Sequence, residues 1–351
     1  MRRILVLVFL AGALVQFSAA SSYVMVNDAD LAEASSSIVV GQVLQARGVM
    51  REGIPWTRYT MVVEDTLHGQ TSTRLQFEVP GGVAEGLGLR LYGMPSFSRG
   101  EKVLLFLSPG QGEVRQLTHQ MLGAFSVYKL GDREVALRHL DGAREVALPQ
   151  VGERGRYHRP RDLQAFARWL KARGTSEADY FTQLTAADRE EVTRQRSLRP
   201  RFTLLTCDAP DCAQPSALRW MNFETTQAVW FINDQGQDGL PEEGENPAGT
   251  QGLQDAIDAW VDDPGSTINY AFGGESGVTN IELGSGFSDS ILLFNDQRNR
   301  ISNDFSCDEG GVLANGGPFF ALMPLFPHKG VQVRRITRGF VNMNAGIECV
   351  F

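Results

Sequence analysis

The sequence runs to 351 residues, 42% hydrophobic and 21% charged, with 33 Lys and Arg against 41 Asp and Glu for a formal net charge of -8. That mixture excludes wholesale disorder, collagen and a polytopic membrane protein. The acidic balance also argues against nucleic-acid binding, which needs clustered cations to displace counterions from phosphates. At roughly 100–200 residues per domain, the length suggests two domains.

The chain opens MRRILVLVFLAGALVQFSAASS. Arg2 and Arg3 give a basic start, Ile4 to Phe17 are mostly apolar, and Ser18, Ala19 and Ala20 are small. These are the three parts of a secretory signal peptide, so residues 1–20 are expected to be removed after Ala20. The expected location is secreted or periplasmic, with no membrane association once the leader is cut.

Residues 21–175 alternate apolar runs with turn residues: SIVVGQVLQA at 37–46, RYTMVVEDTL at 58–67, RLQFEVPGG at 74–82 and EKVLLFLSPG at 101–110. Short runs rich in Val, Ile and Phe between Gly and Pro predict an all-β barrel or sandwich-like domain. Leu163, Phe166, Trp169 and Leu170 share one face of a helix expected between Arg161 and Arg173. Residues 176–200 are polar and charged and read as a partly helical linker. Charge then inverts: residues 21–175 hold 19 Lys and Arg against 16 acids, whereas residues 201–351 hold 8 against 20. Such a shift supports a domain boundary.

In residues 201–351 the order is a strand at 228–233 (Val229 and Phe231 on one face, Trp230 and Ile232 on the other), a helix at 249–265 (Leu253, Ile257, Trp260 and Val261 at helical spacing), then strands at 266–274, 290–296, 310–316 and 331–343. That order predicts an α/β layer with a mixed sheet, so the whole chain reads as α+β. All four cysteines, Cys207, Cys212, Cys307 and Cys349, lie here, and an even count in an exported chain points to disulfides. Of three pairings, the turn-forming Pro in CDAPDC favours Cys207–Cys212, leaving Cys307–Cys349.

Several segments resemble secreted bacterial matrixin-like zinc metallopeptidases of the metzincin group that carry a β-rich domain ahead of the protease. They are Arg219-Trp220 before AVWFIN, the helix ending Ala259-Trp260, ILLFND with Asp296, GGVLANGGP at 310–318, and in the first half VVGQV, VPGG and GMPSFSRGEKVLLFL. The resemblance implies a zincin-like second domain whose Gly-Gly-x-Leu-Ala strand lies at the sheet edge and binds an extended peptide or protein segment by β-augmentation. Leu313 and Ala314 would then be the substrate-facing backbone residues. Asn315, a poor zinc ligand, stands where matrixins often have a structural-zinc His.

The motif that would hold a catalytic zinc is missing. A zincin needs two His one helical turn apart and a Glu beside the first. This sequence has His68, His119, His139, His158 and His328, and none begins H-E-x-x-H. The expectation is therefore an incomplete zincin-like domain that ends before its zinc-binding helix, with no catalytic residues and no cofactor of its own, zinc belonging to intact relatives. Without that helix, Ile291, Leu293 or Leu292, Phe294 are expected to be exposed. The competing expectation is a non-catalytic extracellular peptide- or surface-binding protein.

Calcium is a separate candidate. Asp234, Asp238, Gly239 and Glu245 fall at the first, fifth, sixth and twelfth positions of an EF-hand-like loop, although Gly236 leaves the third without a side-chain oxygen. Neither a G-x-S-x-G, a P-loop nor a dinucleotide fingerprint occurs, and the abundant acids leave paired-carboxylate chemistry open.

Overall fold

The computed structural model describes residues 21–110, 112–138, 140, 142–148, 155–172, 179–198, 217–220, 227–234, 236–237, 246–262, 268–278, 281, 289–294, 305–328 and 330–344. The chain is α+β and strand-rich, with mixed sheets. The strands in chain order are β1 (Ser21–Val24), β2 (Ser37–Arg51), β3 (Ile54–His68), β4 (Arg74–Pro80), β5 (Gly82–Ala84), β6 (Leu87–Leu89), β7 (Lys102–Pro109), β8 (Arg115–Leu117), β9 (Ala124–Leu130), β10 (Arg133–Arg138), β11 (Ala143–Glu145) and β12 (Arg161–Asp162). The later ones are β13 (Ala217–Arg219), β14 (Ala228–Asn233), β15 (Tyr270–Ser276), β16 (Ser290–Leu293), β17 (Gly311–Ala321), β18 (Phe326–His328) and β19 (Val331–Met343). Among the described residues four α-helices are interspersed: α1 (Asp28–Glu33), α2 (Leu163–Lys171), α3 (Ala186–Leu198) and α4 (Thr250–Val261).

One sheet has the order β12-β10-β9-β7-β2-β3-β4-β8, and an additional β7–β8 pairing joins two of its strands. Side chains along a strand alternate faces. Val103, Leu105 and Leu107 of β7 accordingly pack with Val39, Tyr59, Met61, Leu75, Phe77 and Leu117 in one core. Leu104 and Phe106 point the other way and meet Phe125, Phe166, Trp169 and Leu170 in a second. The latter three lie on α2, whose buried face is the one its apolar spacing dictates, and Asp162 caps it by accepting from the Ala165 N–H at 2.9 Å.

The other sheet runs β11-β1-β17-β19-β16-β14-β15. Strands β14, β15, β16 and β19 pair in parallel, and β17 runs antiparallel to β19. Strands from the two sides of the expected boundary share this sheet, because β1, β5, β6 and β11 join it from the first half. One face packs Ile232, Leu292 and Phe294 against Leu253 of α4. The opposite face packs Ile291, Leu293, Phe319 and Phe340 against Ile54, Trp56, Leu89 and Leu91 of the first half.

The expected exposure of Ile291, Leu292, Leu293 and Phe294 is therefore corrected, since all four are buried. The reading took a missing helix as the only cover for the sheet, whereas the N-terminal half supplies one. Helix α4 departs from its reading in another way: Ile257 is buried, but Trp260 and Val261 are 44% and 41% exposed. No helix among the described residues is long and apolar enough to cross a membrane.

Candidate functional site

The resemblance directs attention to β17. Leu313 is buried and Ala314 half-buried, and both lie inside the sheet rather than at its edge. On one side β17 pairs with β19, Ala314 opposite Met343 and Asn315 opposite Asn342. On the other it pairs antiparallel with β1, Ser22 opposite Ala314, Tyr23 opposite Val312 and Val24 opposite Gly311. Further along, the Arg90 N–H donates to the Pro318 carbonyl at 3.1 Å and the Tyr92 N–H to the Gly316 carbonyl at 3.5 Å. Strand β6 then takes Phe319 to Ala321. Backbone from the first half thus lines β17 almost end to end, which corrects the expectation of unpaired edge groups. The approach is close enough at Gly317 that a Cβ would lie 1.7 Å from the Arg90 carbonyl oxygen.

Strand β1 is a tightly held occupant. The Ser21 hydroxyl donates to the Tyr92 carbonyl at 2.5 Å, and the Val146 N–H donates to the Tyr23 carbonyl at 2.8 Å. Tyr23 packs in the core that Met25, Leu31, Phe125 and Val312 share. Val24 joins Leu148, Phe305 and Leu313. Burial, with Glu145 adding and Arg138 opposing, pushes the Tyr23 phenol up to about 12, so it stays neutral at physiological pH.

A buried charge cluster fixes the chain just after β1. Asp28, 1% exposed, accepts from both Arg161 (Nε 2.9 Å, Nη2 2.8 Å), from Arg138 Nη2 at 3.0 Å and from the Tyr180 hydroxyl at 3.0 Å. Both guanidiniums lie over the Phe125 ring, at 4.9 and 4.8 Å. Burial pushes Arg138 down to about 9, its neighbour Arg161 deepens the shift and Asp28 opposes it, so Arg138 remains charged at neutral pH. Asn27 caps α1 by accepting from the Ala29 and Asp30 N–H groups, setting the start of the helix that carries Asp28. Sequence reasoning missed this cluster; the one local signal was the Asn-x-x-Asp cap.

The sequence-derived metal candidates are only partly described. Asp234 is an exposed turn residue after β14, while Asp238 and Glu245 lie outside the described residues. His158 pairs with Glu145 at 2.6 Å, His119 sits at φ 48, His68 ends β3 and His328 ends β18; His139 lies outside the described residues. Among the described residues no three His, Cys, Asp or Glu form a group able to hold a metal. Cys307 packs against the Val24, Leu148, Phe305 and Leu313 cluster and carries no free thiol. Cys207, Cys212, Cys349 and Asp296 lie outside the described residues.

A small recess, with a cavity volume of about 10 Å³, is lined by Trp56, Glu78, Met94, Gln116 and Gln120 among others. Its one carboxylate is already engaged, Glu78 being held by Arg51 at 2.7 Å and Arg58 at 2.5 Å. The extended-backbone slot at β17 is therefore the stronger candidate site. Comparison with protein-family models and with curated proteins finds no match to this chain.

Proposed function

We propose that this chain is an exported, proteolytically inactive protein of matrixin-like zinc metalloendopeptidase lineage, whose peptide-binding strand is occupied by its own N-terminal segment. The supporting observation is the pairing of β1 with β17: an extended segment lies antiparallel along the Gly-Gly-Val-Leu-Ala strand, with Ser22 opposite Ala314. Main-chain hydrogen bonds of this kind bind extended peptide irrespective of side chain, and pockets such as those that receive Tyr23 and Val24 add selectivity.

The absence of zinc-dependent proteolysis rests on composition. None of the five His begins an H-E-x-x-H within these 351 residues. Without such a site there is no metal-acidified water, and a peptide-pairing strand alone does not supply the millionfold or greater acceleration typical of enzymes. In this reading the closed circuit β7-β2-β3-β4-β8 is a small barrel, the second sheet is zincin-like, and the pairings are Cys207–Cys212 and Cys307–Cys349. A calcium ion would be held at Asp234, Asp238 and Glu245.

Two measurements on the chain lacking residues 1–20 test the proposal. Casein incubated with the protein and added zinc should show no chelator-sensitive cleavage; such cleavage would overturn the assignment of proteolytic inactivity. A labelled peptide of sequence Ser-Ser-Tyr-Val-Met-Val should bind the Tyr23→Ala variant at least about tenfold more tightly than it binds the unmodified protein, because the internal strand has lost a buried ring. Equal binding to both, or to neither, would reject the slot.

A further inference from the structure

The peptide slot leaves unexplained a run at the far end of β17. Residues 318–327, PFFALMPLFP, contain no polar side chain. Phe319 and Phe320 are fully buried and root the run in the core. Beyond them the chain turns outward: Leu322 is half-buried, Met323 is 67% exposed, Pro324 and Pro327 are exposed, and Leu325 and Phe326 lie between. Met323 is the most exposed large apolar side chain among the described residues. The loop is also held in shape. The Leu322 N–H donates to the Gly86 carbonyl at 3.1 Å, and the Leu322 carbonyl accepts from Arg334 Nη1 at 2.5 Å. Strand β18 pairs Phe326 with Val333 and His328 with Val331, so the end of the run enters a hairpin with β19 and residues 322–325 form the loop that leads into it from β17.

Charge along this stretch of sequence is opposite to that of the rest of residues 201–351. From residue 310 to residue 347 there is no acid, but there are Lys329, Arg334, Arg335 and Arg338. These are half of the 8 Lys and Arg in residues 201–351, which otherwise carry 20 acids. Arg335 is exposed, while Arg338 lies over the Phe319 ring at 4.5 Å and Arg334 is buried beneath Leu322. An exposed apolar loop with the exposed Arg335 and the half-buried Arg338 on the adjoining strand fits the boundary of an anionic bilayer, where the loop enters the acyl region and these guanidiniums meet the headgroups. Strand addition by a partner polypeptide fits the outer side of β18 less well, since Pro324 and Pro327 have no N–H to donate. The other exposed large apolar residues, Trp260 and Val261, stand beside Asp258 and Asp262, which an anionic surface repels.

We propose that the Leu322–Pro327 loop is a preformed wedge by which the exported protein docks peripherally on an anionic lipid surface. This goes against the sequence-based expectation of no membrane association after leader removal, which considered spanning segments and not surface insertion. The proposal is independent of the peptide slot.

The test is flotation of the chain lacking residues 1–20 with vesicles of phosphatidylcholine alone or with about one third phosphatidylglycerol. The protein should float with the anionic vesicles, at least about tenfold more than with the neutral ones, and should dissociate in high salt. Met323→Glu should lower partitioning about tenfold or more, and Arg335→Gln about fivefold. Both side chains are exposed, so neither change should shift the thermal unfolding midpoint, and a matched Thr337→Gln control should float like the parent. Absence of flotation, equal flotation with neutral vesicles, or unaltered flotation of Met323→Glu would each overturn the proposal. So would binding to polyglutamate without binding to vesicles, which would identify the cations as a site for acidic polypeptide instead.

Discussion

Asp28 supplies the carboxylate that Arg138 and Arg161 share, and both guanidiniums are almost fully buried, with side-chain exposures of 2% and 1%. A buried pair is a poor source of net stability, but removing one partner leaves a charge that is costly to keep out of water. Asp28→Asn should therefore cost about 3–5 kcal/mol in urea denaturation. Adding Arg138→Met should recover part of that loss, because it removes one of the stranded charges. A loss under about 1 kcal/mol for the single variant would show that water reaches the site. This cluster was illegible in the sequence. Asp28 lies 110 positions from Arg138 and 133 from Arg161, and no local pattern marks an acid that will be buried against a distant cation. The same distance hid β1: the four residues Ser21–Val24 have no alternation that names a partner.

Helix α2 and strand β19 were legible because their signals are local: an Asp cap with apolar residues at helical spacing in one, and a β-branched run bounded by Gly330 in the other. Strand β17 was legible as a strand and misread as an edge, because period-two alternation tells which face a side chain takes but not which strand lies alongside. What the sequence does encode there is glycine. At Gly317 an added Cβ would meet the Arg90 carbonyl oxygen at 1.7 Å, a backbone atom that cannot swing aside. Gly317→Ala should push the Arg90–Tyr92 segment off β17 and cost about 1–3 kcal/mol, the range for overpacking. The readout is faster amide exchange at Arg90 and Tyr92, whose N–H groups bond to β17. Unchanged protection at both amides would mean that the segment can shift without opening.

The charge inversion between residues 21–175 and 201–351 still describes the composition, but the two parts are joined by more than a linker. Backbone from the first part lies along β17, and Ile54, Trp56, Leu89 and Leu91 share a core with Ile281, Ile291, Leu293, Phe319 and Phe340. At about 1.5–3 kcal/mol for each large apolar side chain, exposing those nine residues would cost on the order of 10 kcal/mol or more. That is as large as the whole stability of a typical domain, about 5–15 kcal/mol, so neither part should survive the unfolding of the other. Calorimetry on the chain lacking residues 1–20 should accordingly show one cooperative transition whose calorimetric and van't Hoff enthalpies agree. Trp56→Ala should lower its midpoint while leaving it single, since loss of one ring, about 3–5 kcal/mol, weakens the shared core without emptying it. Two resolved transitions in the unmodified protein would mean that the seam contributes far less than its buried area implies. The two parts would then be separable, as the composition alone suggested, and the hold of β1 on β17 would be correspondingly weak.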